Sequence, residues 1–215
     1  MEIKLINKTP DFLHTIWTAG RTSHSALTPQ ELYTLDETES KMLKLVEFLI
    51  KSKHLSTLEH CSMTFAVSGV SRTLLAQYSR HRIGVSLTVQ SQRYVSEGTE
   101  KNQGKLFDFV TPPTIAGDPA KLAAYRKAME NAQASYDELV AAGVPMEDAR
   151  FVLPGGICTN FVTTLNLRSL LDVYEKRVLV RGAQWEVRDM VARMGELIVE
   201  AEPWLAPYFP EIAEA

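Results

Sequence analysis

Apolar side chains recur along this chain with two periods, and the switches between them mark its elements. Ile3 and Leu5 alternate with charged residues and predict a first strand. Met63, Phe65 and Val67 alternate in the same way, Val85 to Val89 is a β-branched stretch, and Ile157 to Leu165 reads as a further strand. Between them the period changes to that of a helix. Thr28-Pro29-Gln30-Glu31 is a capping box with proline at the first helical position. Asp36 is read as the cap of a longer helix bearing Met42, Leu43, Val46, Leu49 and Ile50. Ser71 to Ser79 is helical. Asp118-Pro119 opens a helix that runs to Gly143, with Leu122, Tyr125, Met129, Ala132, Tyr136 and Leu139 on one stripe. That stripe is the pattern of a core face rather than of a cofactor box. Asn166 caps a helix containing Leu170, Leu171 and Tyr174. After Gly182 a last helix carries Met190, Val191, Met194, Leu197 and Ile198 and stops before Pro203. Gly98 to Pro119 is the loosest stretch and reads as a long loop joining two halves of one domain. The expected fold is α/β of the α+β kind: one compact domain over residues 1–215, a mostly antiparallel sheet and several packed helices.

Composition narrows the function. The chain has 215 residues, 45% hydrophobic and 23% charged, which suffices for one sizeable core. Its net charge of -3 argues against a general nucleic-acid binder, so any phosphate is held by a local cluster. Met1-Glu2-Ile3-Lys4 is not a basic-then-apolar leader, and no apolar run approaches the ~18 residues that a membrane span needs; a cytoplasmic location is expected. Cys61 and Cys158 are isolated in apolar, strand-like contexts and read as buried free thiols.

Candidate chemistry concentrates in four segments. Arg80-His81-Arg82 and Ser91-Gln92-Arg93 place three arginines within fourteen residues without one acidic residue. Arginine is a permanent cation with a planar fork of donors, suited to phosphates and polarised carbonyls. A solvated basic face is the alternative, but the helix before the cluster and the Gly84 turn within it favour convergence on a ligand. His54-Leu55-Ser56-Thr57-Leu58-Glu59-His60 is a short connector whose polar groups serve either a cofactor or local backbone. No further ligand stands at metal-site spacing, so no metal is expected. Arg150, entering Phe151-Val152-Leu153-Pro154, either pairs with Glu147 or binds an anion. Asn166 needs no ligand to explain it as a cap, and Arg168, Asp172 and Lys176 at four-residue intervals form a possible charge ladder, with Arg177 around the corner.

Taken together, these residues resemble a known signature. Arg-His-Arg, eight intervening residues and then Ser-x-Arg is similar to the motif of the flavin-dependent thymidylate synthases, in the longer of its two spacings. His54 to His60, Arg150 before Val152-Leu153-Pro154, Asn166-x-Arg168, Arg177 and Ala183-Gln184-Trp185-Glu186 resemble further family segments in the same order, from about residue 20 to residue 190; Arg21 is a weaker match. The chain departs from the family at Asp172, where an asparagine is usual, and at Gly155-Gly156, where bulkier or amide side chains are.

The resemblance implies reductive methylation of dUMP to dTMP, with FAD as cofactor and NADPH and methylenetetrahydrofolate as co-substrates, in a homotetramer with sites at subunit interfaces. It implies Gln77, Arg80, Gln90, Ser91, Gln92, Arg93, Arg150 and Arg177 at dUMP, with Arg177, Arg80 and Ser91 nearest the chemistry. For FAD it implies His54, Ser56, Glu59, Arg80, His81, Arg82, Ile83, Asn166, Leu167, Arg168 and Asp172. Neither cysteine has the neighbouring base a thiol nucleophile would need, which suits a flavin route. Two other classes compete: a non-catalytic nucleotide- or flavin-binding module, and an RNA-binding domain, which lacks the aromatic platform such a domain uses.

Overall fold

Backbone hydrogen bonds fix the sheet. The structure is a computed structural model that describes residues 1–210. Its strands are β1 (Glu2–Lys8), β2 (Ser62–Ser71), β3 (Val85–Val89) and β4 (Cys158–Asn166), in the order β1-β2-β4-β3. The Thr9 amide donates to the Ser62 carbonyl at 2.9 Å, so β1 ends where β2 begins. The Thr64 and Thr164 hydroxyls meet at 2.9 Å, and the Arg72 amide donates to the Ile157 carbonyl at 3.0 Å. The Gln90 amide reaches the Asn160 carbonyl at 2.9 Å and the Asn166 amide the Gly84 carbonyl at 3.2 Å. In β2–β4 and β4–β3 one number rises as the other falls, and the end of β1 meets the start of β2, so the sheet is antiparallel, as the sequence pattern predicts.

Around the strands come α1 (Phe12–Thr22), α2 (Pro29–Thr34), α3 (Glu39–Lys51), α4 (Arg72–Tyr78), α5 (Pro113–Ala116), α6 (Pro119–Ala141), α7 (Met146–Ala149), α8 (Leu167–Tyr174) and α9 (Trp185–Ala201). The capping box at Thr28 and the caps at Ser71, Asp118 and Asn166 all form. Asp36 does not cap α3. The cap is Thr38, whose carbonyl accepts from the Lys41 and Met42 amides. The carboxylate of Glu37 accepts from the Thr38 amide and pairs with Lys41, each at 3.0 Å, which draws the helix start two residues past Asp36. The apolar pattern also passes over α1. Its Thr15, Thr18 and Gly20 are weak helix formers, and what makes it a helix is the buried stripe Phe12, Leu13, Ile16, Trp17 beneath an Asp11 cap.

The chain divides into two compact units. The first comprises Met1–Glu2, Val67–Arg80 and Thr88–Phe161. It therefore contains the whole Gly98 to Pro119 loop. Phe107, Met129 and Ile157 form its buried cluster, with Leu106, Phe109, Tyr125 and Leu153 packed against them. Gln133 of α6, 3% exposed, clamps the loop: its carbonyl accepts from the Phe107 amide at 2.8 Å, and its amide donates to the Glu97 carbonyl at 2.9 Å. The second unit comprises Ile3–Ala66, His81–Leu87 and Val162 onward. Here Phe12, Ile16, Leu58, Leu165, Leu167, Leu170, Val187, Met190 and Met194 are fully buried. A π-helical turn, Glu175–Leu179, follows α8 and carries Arg177.

Gln133→Leu leaves the buried Phe107 amide without an acceptor. We expect a loss of ~2–4 kcal/mol of stability and faster proteolytic cleavage within residues 98–110. A chemical-denaturation midpoint equal to that of wild type would refute the clamp.

Candidate active site

In the first unit, α4 buries Leu74 and Tyr78, which leaves Gln77 on the exposed face of its last turn. The chain re-enters at the end of β3, where Ser91 starts a turn. Its hydroxyl accepts from the Arg93 amide at 3.2 Å, and its carbonyl accepts from the Val95 amide at 2.9 Å. Arg93 then pairs through Nη2 with the Glu147 carboxylate at 2.7 Å, while Arg150 Nε donates to the Glu147 carbonyl at 2.9 Å. One residue thus brings together two arginines far apart in sequence. The sequence alternatives for Arg150 partly merge: it does engage Glu147, but through backbone. Arg80 is exposed.

Two expected contact residues in this unit are occupied by the framework. The Gln90 side-chain carbonyl accepts from Asn160 Nδ2 at 2.7 Å, and its backbone carbonyl accepts from Arg72 Nη2 at 3.1 Å. Gln92 is 8% exposed and faces Glu97. Arg72 and Asn160 were not singled out from sequence, because their partners lie far along the chain. Glu97 is half-buried, and its carboxyl lies above the ordinary 4.5 because burial outweighs the nearby Gln92 amide and the Arg72 charge.

In the second unit, segments far apart in sequence line one cleft of about 600 Å³. Leu55 and Glu59 come from the connector, Ile83 and Gly84 from the turn after α4, Asn166, Arg168, Ser169, Leu171 and Asp172 from the cap and body of α8, and Lys176 from the π-turn. Gly84 has φ +64°, and a Cβ there would collide with the Ser169 hydroxyl and the Asn166 amide. That close approach lets Ser169 Oγ donate to the Ile83 carbonyl at 2.9 Å. Arg168 reaches Glu59 at 2.5 Å, and Lys176 reaches Asp172 at 2.7 Å. Only the second half of the expected charge ladder forms. Leu167 has a fully buried side chain, and its amide donates to the Cys61 carbonyl at 2.8 Å. His54, Ser56 and Arg82 are exposed, and Ile83 is 90% exposed.

Arg177 Nε donates to His81 Nε2 at 2.8 Å. Burial, then the charges of Arg177 and Lys176, hold the His81 imidazole below its ordinary value, against the opposing pull of Asp172. The cysteines stand apart from this chemistry. Cys61 is buried, its thiol pushed up to about 12 chiefly by burial, and its Sγ donates to the Phe12 carbonyl at 3.6 Å. Cys158 is half-buried. The Cys61 thiol is therefore not an activated thiolate. The Gly155-Gly156 pair has a local reason: a Cβ on Gly156 would strike the Tyr125 hydroxyl, which donates to the Val110 carbonyl at 2.8 Å. Among the described residues no three of His, Cys, Asp and Glu are grouped to hold a metal ion, and no helix is long and apolar enough to cross a membrane.

An antiparallel sheet with two arginines at one anion-ready point, and a polar cleft built from scattered segments, defines the class: the chain belongs to the thymidylate synthase complementing protein family, whose sequence model matches residues 4–204. Curated relatives named flavin-dependent thymidylate synthase include that of Haloarcula marismortui, 35% identical over 241 residues, with 98% of this chain and 96% of the relative covered. That of Nitratidesulfovibrio vulgaris is 36% identical over 216 residues, covering 94% and 84%. Among solved structures, the flavin-dependent thymidylate synthase ThyX of Helicobacter pylori, complexed with FAD and dUMP, superposes with a TM-score of 0.74 at 25% identity, covering 95% and 97%. The UMP/dUMP methylase PolB of Streptomyces cacaoi, bound with 5-Br dUMP, shares the fold with a TM-score of 0.77 at 22% identity, covering 97% and 92%.

Glu97 yields a pH test. Its folded value lies above its unfolded one, so the folded state holds more proton and stability falls as pH rises from about 4.5 through the raised value. Glu97→Gln removes that penalty. We expect a Tm higher by ~1–3 °C at pH 7.5 and unchanged at pH 4; equal Tm values at both would show that burial does not govern this carboxyl.

Proposed function

We propose that this chain methylates C5 of dUMP by the flavin-dependent route and that it works as a homotetramer. When bound, FAD supplies the hydride, NADPH restores it, and methylenetetrahydrofolate brings the carbon. The observation that supports this reading most is the cleft in the second unit: Glu59, Ile83, Asn166, Arg168 and Asp172, dispersed over more than a hundred residues, line one space. Its polar walls, where Arg168 pairs with Glu59 of the connector and Lys176 with Asp172 one turn before it, fit a cofactor bearing both a heterocycle and phosphates. Asn166, Arg168, Asp172 and the Ile83–Gly84 backbone would hold it, with His54, Ser56 and Arg82 beside the same segments. The exposed apolar side chains of Ile83, Tyr94 and Phe151 lie in or next to the candidate segments, as subunit contacts around a shared site would require.

The substrate half follows from the arginines. Arg93 and Arg150 take the dUMP phosphate, which displaces the carboxylate of Glu147 from Arg93. That ion pair is about half-exposed, hence weak, and a dianion replaces it readily. Gln77 offers a donor and an acceptor to the uracil edge. Arg80 and Arg177 stabilise the negative charge that grows on the pyrimidine as N3 or O4 becomes anionic. Ser91 holds the ring by hydrogen bonding, since its hydroxyl already accepts from the Arg93 amide and no base adjoins it.

The test is turnover of dUMP by purified protein with FAD, NADPH and methylenetetrahydrofolate. Colourless, monomeric protein that takes up no FAD and makes no dTMP would sink the proposal. In that assay Arg150→Ala should mainly raise the dUMP KM, because a phosphate contact is alike in ground and transition states. Arg177→Ala should mainly lower kcat, by ~10²–10³ if it acts as one oxyanion donor. The reverse pattern would exchange the two roles. Replacing Cys61 and Cys158 together by Ser should leave substantial turnover; its abolition in folded, FAD-loaded protein would refute the thiol-independent route.

A further inference from the structure

We propose that His81 is a positioning residue for Arg177: its imidazole, unprotonated at Nε2, accepts the Nε hydrogen of Arg177 and fixes the direction of that guanidinium. The inference rests on the reading that Arg177 acts on the pyrimidine. Arginine has five donors and no acceptor, so a 2.8 Å contact between Arg177 Nε and His81 Nε2 requires a lone pair on the imidazole nitrogen. The neutral ring therefore carries its proton on Nδ1.

The two partners are supplied by features that already set them against each other. His81 sits in the turn that Ser169 holds through the Ile83 carbonyl. Arg177 sits in the π-turn Glu175–Leu179, where the extra residue per turn rotates its side chain out of the α8 register. A guanidinium bound through Nε has its plane fixed, and with it the heading of both Nη groups.

The charges facing His81 keep the bond intact. Arg177 and Lys176 from the π-turn repel a proton on the ring, and burial opposes it more strongly; Asp172 of α8 pulls the other way, and Arg82 adjoins it on its own turn. Protonation at Nε2 would set N–H against N–H and place two cations at hydrogen-bond distance. The bond is then lost. Arg177 should consequently lose its orientation as pH falls through the His81 midpoint, which lies below the ordinary 6.5.

The experiment combines a mutant cycle on flavin-saturated enzyme with histidine NMR. His81→Leu should lower kcat by ~10–100-fold, and the double variant with Arg177→Ala should be no slower than Arg177→Ala alone, since the first residue acts through the second. His81→Gln, whose carbonyl oxygen also accepts from Nε, should recover at least ~5-fold over His81→Leu and lack the acid fall in kcat below pH 6.5. In the Arg177→Ala protein the NMR titration midpoint of His81, assigned by its loss in His81→Gln, should rise. Losses that multiply in the double variant, a glutamine no better than leucine, or an unmoved midpoint would each overturn the proposal. The midpoint is read without substrate, so absence of wild-type dUMP turnover would count against the functional reading and an unmoved midpoint against the pairing.

Discussion

The second unit is organised by a clasp between a turn and a helix start. Asn166 caps α8 through the Ser169 amide at 2.8 Å, and its own amide donates to the Gly84 carbonyl, while the Ser169 hydroxyl donates to Ile83. Two of these bonds tie the segment 83–84 to the first turn of α8, and the third, the cap, holds that turn in shape. The two ties form only because Gly84 has no Cβ and tolerates φ +64°. Everything proposed for the cleft follows from this clasp. It sets Ile83 and Gly84 in the wall, directs the exposed face of α8 toward Glu59, and holds His81 where the π-turn delivers Arg177.

Electrostatics act here at short range. The whole chain is slightly acidic, yet Arg93 and Arg150 meet at Glu147, Arg168 meets Glu59 and Lys176 meets Asp172. Each of these four cations has an acidic or carbonyl partner that is substantially exposed. Such pairs add little stability, but they keep long side chains from dispersing into solvent. Binding an anion at Arg93 is then an exchange of one oxygen ligand for another, with a smaller loss of side-chain freedom than ordering a loose arginine would bring.

Much of the fold was legible because its signals are local. Alternation at Met63, Phe65 and Val67, the Thr28 capping box and the Asn166 cap each need only a few neighbouring residues. Asp36 misled because a competing carboxylate, Glu37, lies beside the true cap, and α1 was passed over because its helicity comes from burial rather than propensity. In the candidate site the motifs could be located, but their partners could not. Arg168 turns to a residue 109 positions away and not to its helical neighbour, and Gln90 spends its side chain on Asn160, 70 positions on. Leu167 shows the same limit from the other side. A motif position one residue from two polar ones is in the core, because a helix that begins at a cap must turn its first residue inward here.

The interior thiol of Cys61 has a use of its own. Wholly enclosed and protonated to about pH 12, it meets an alkylating reagent only when the surrounding core of Phe12 and Leu58 opens. Its labelling rate under native conditions is thus a clock for the breathing of the second unit, readable by mass alone.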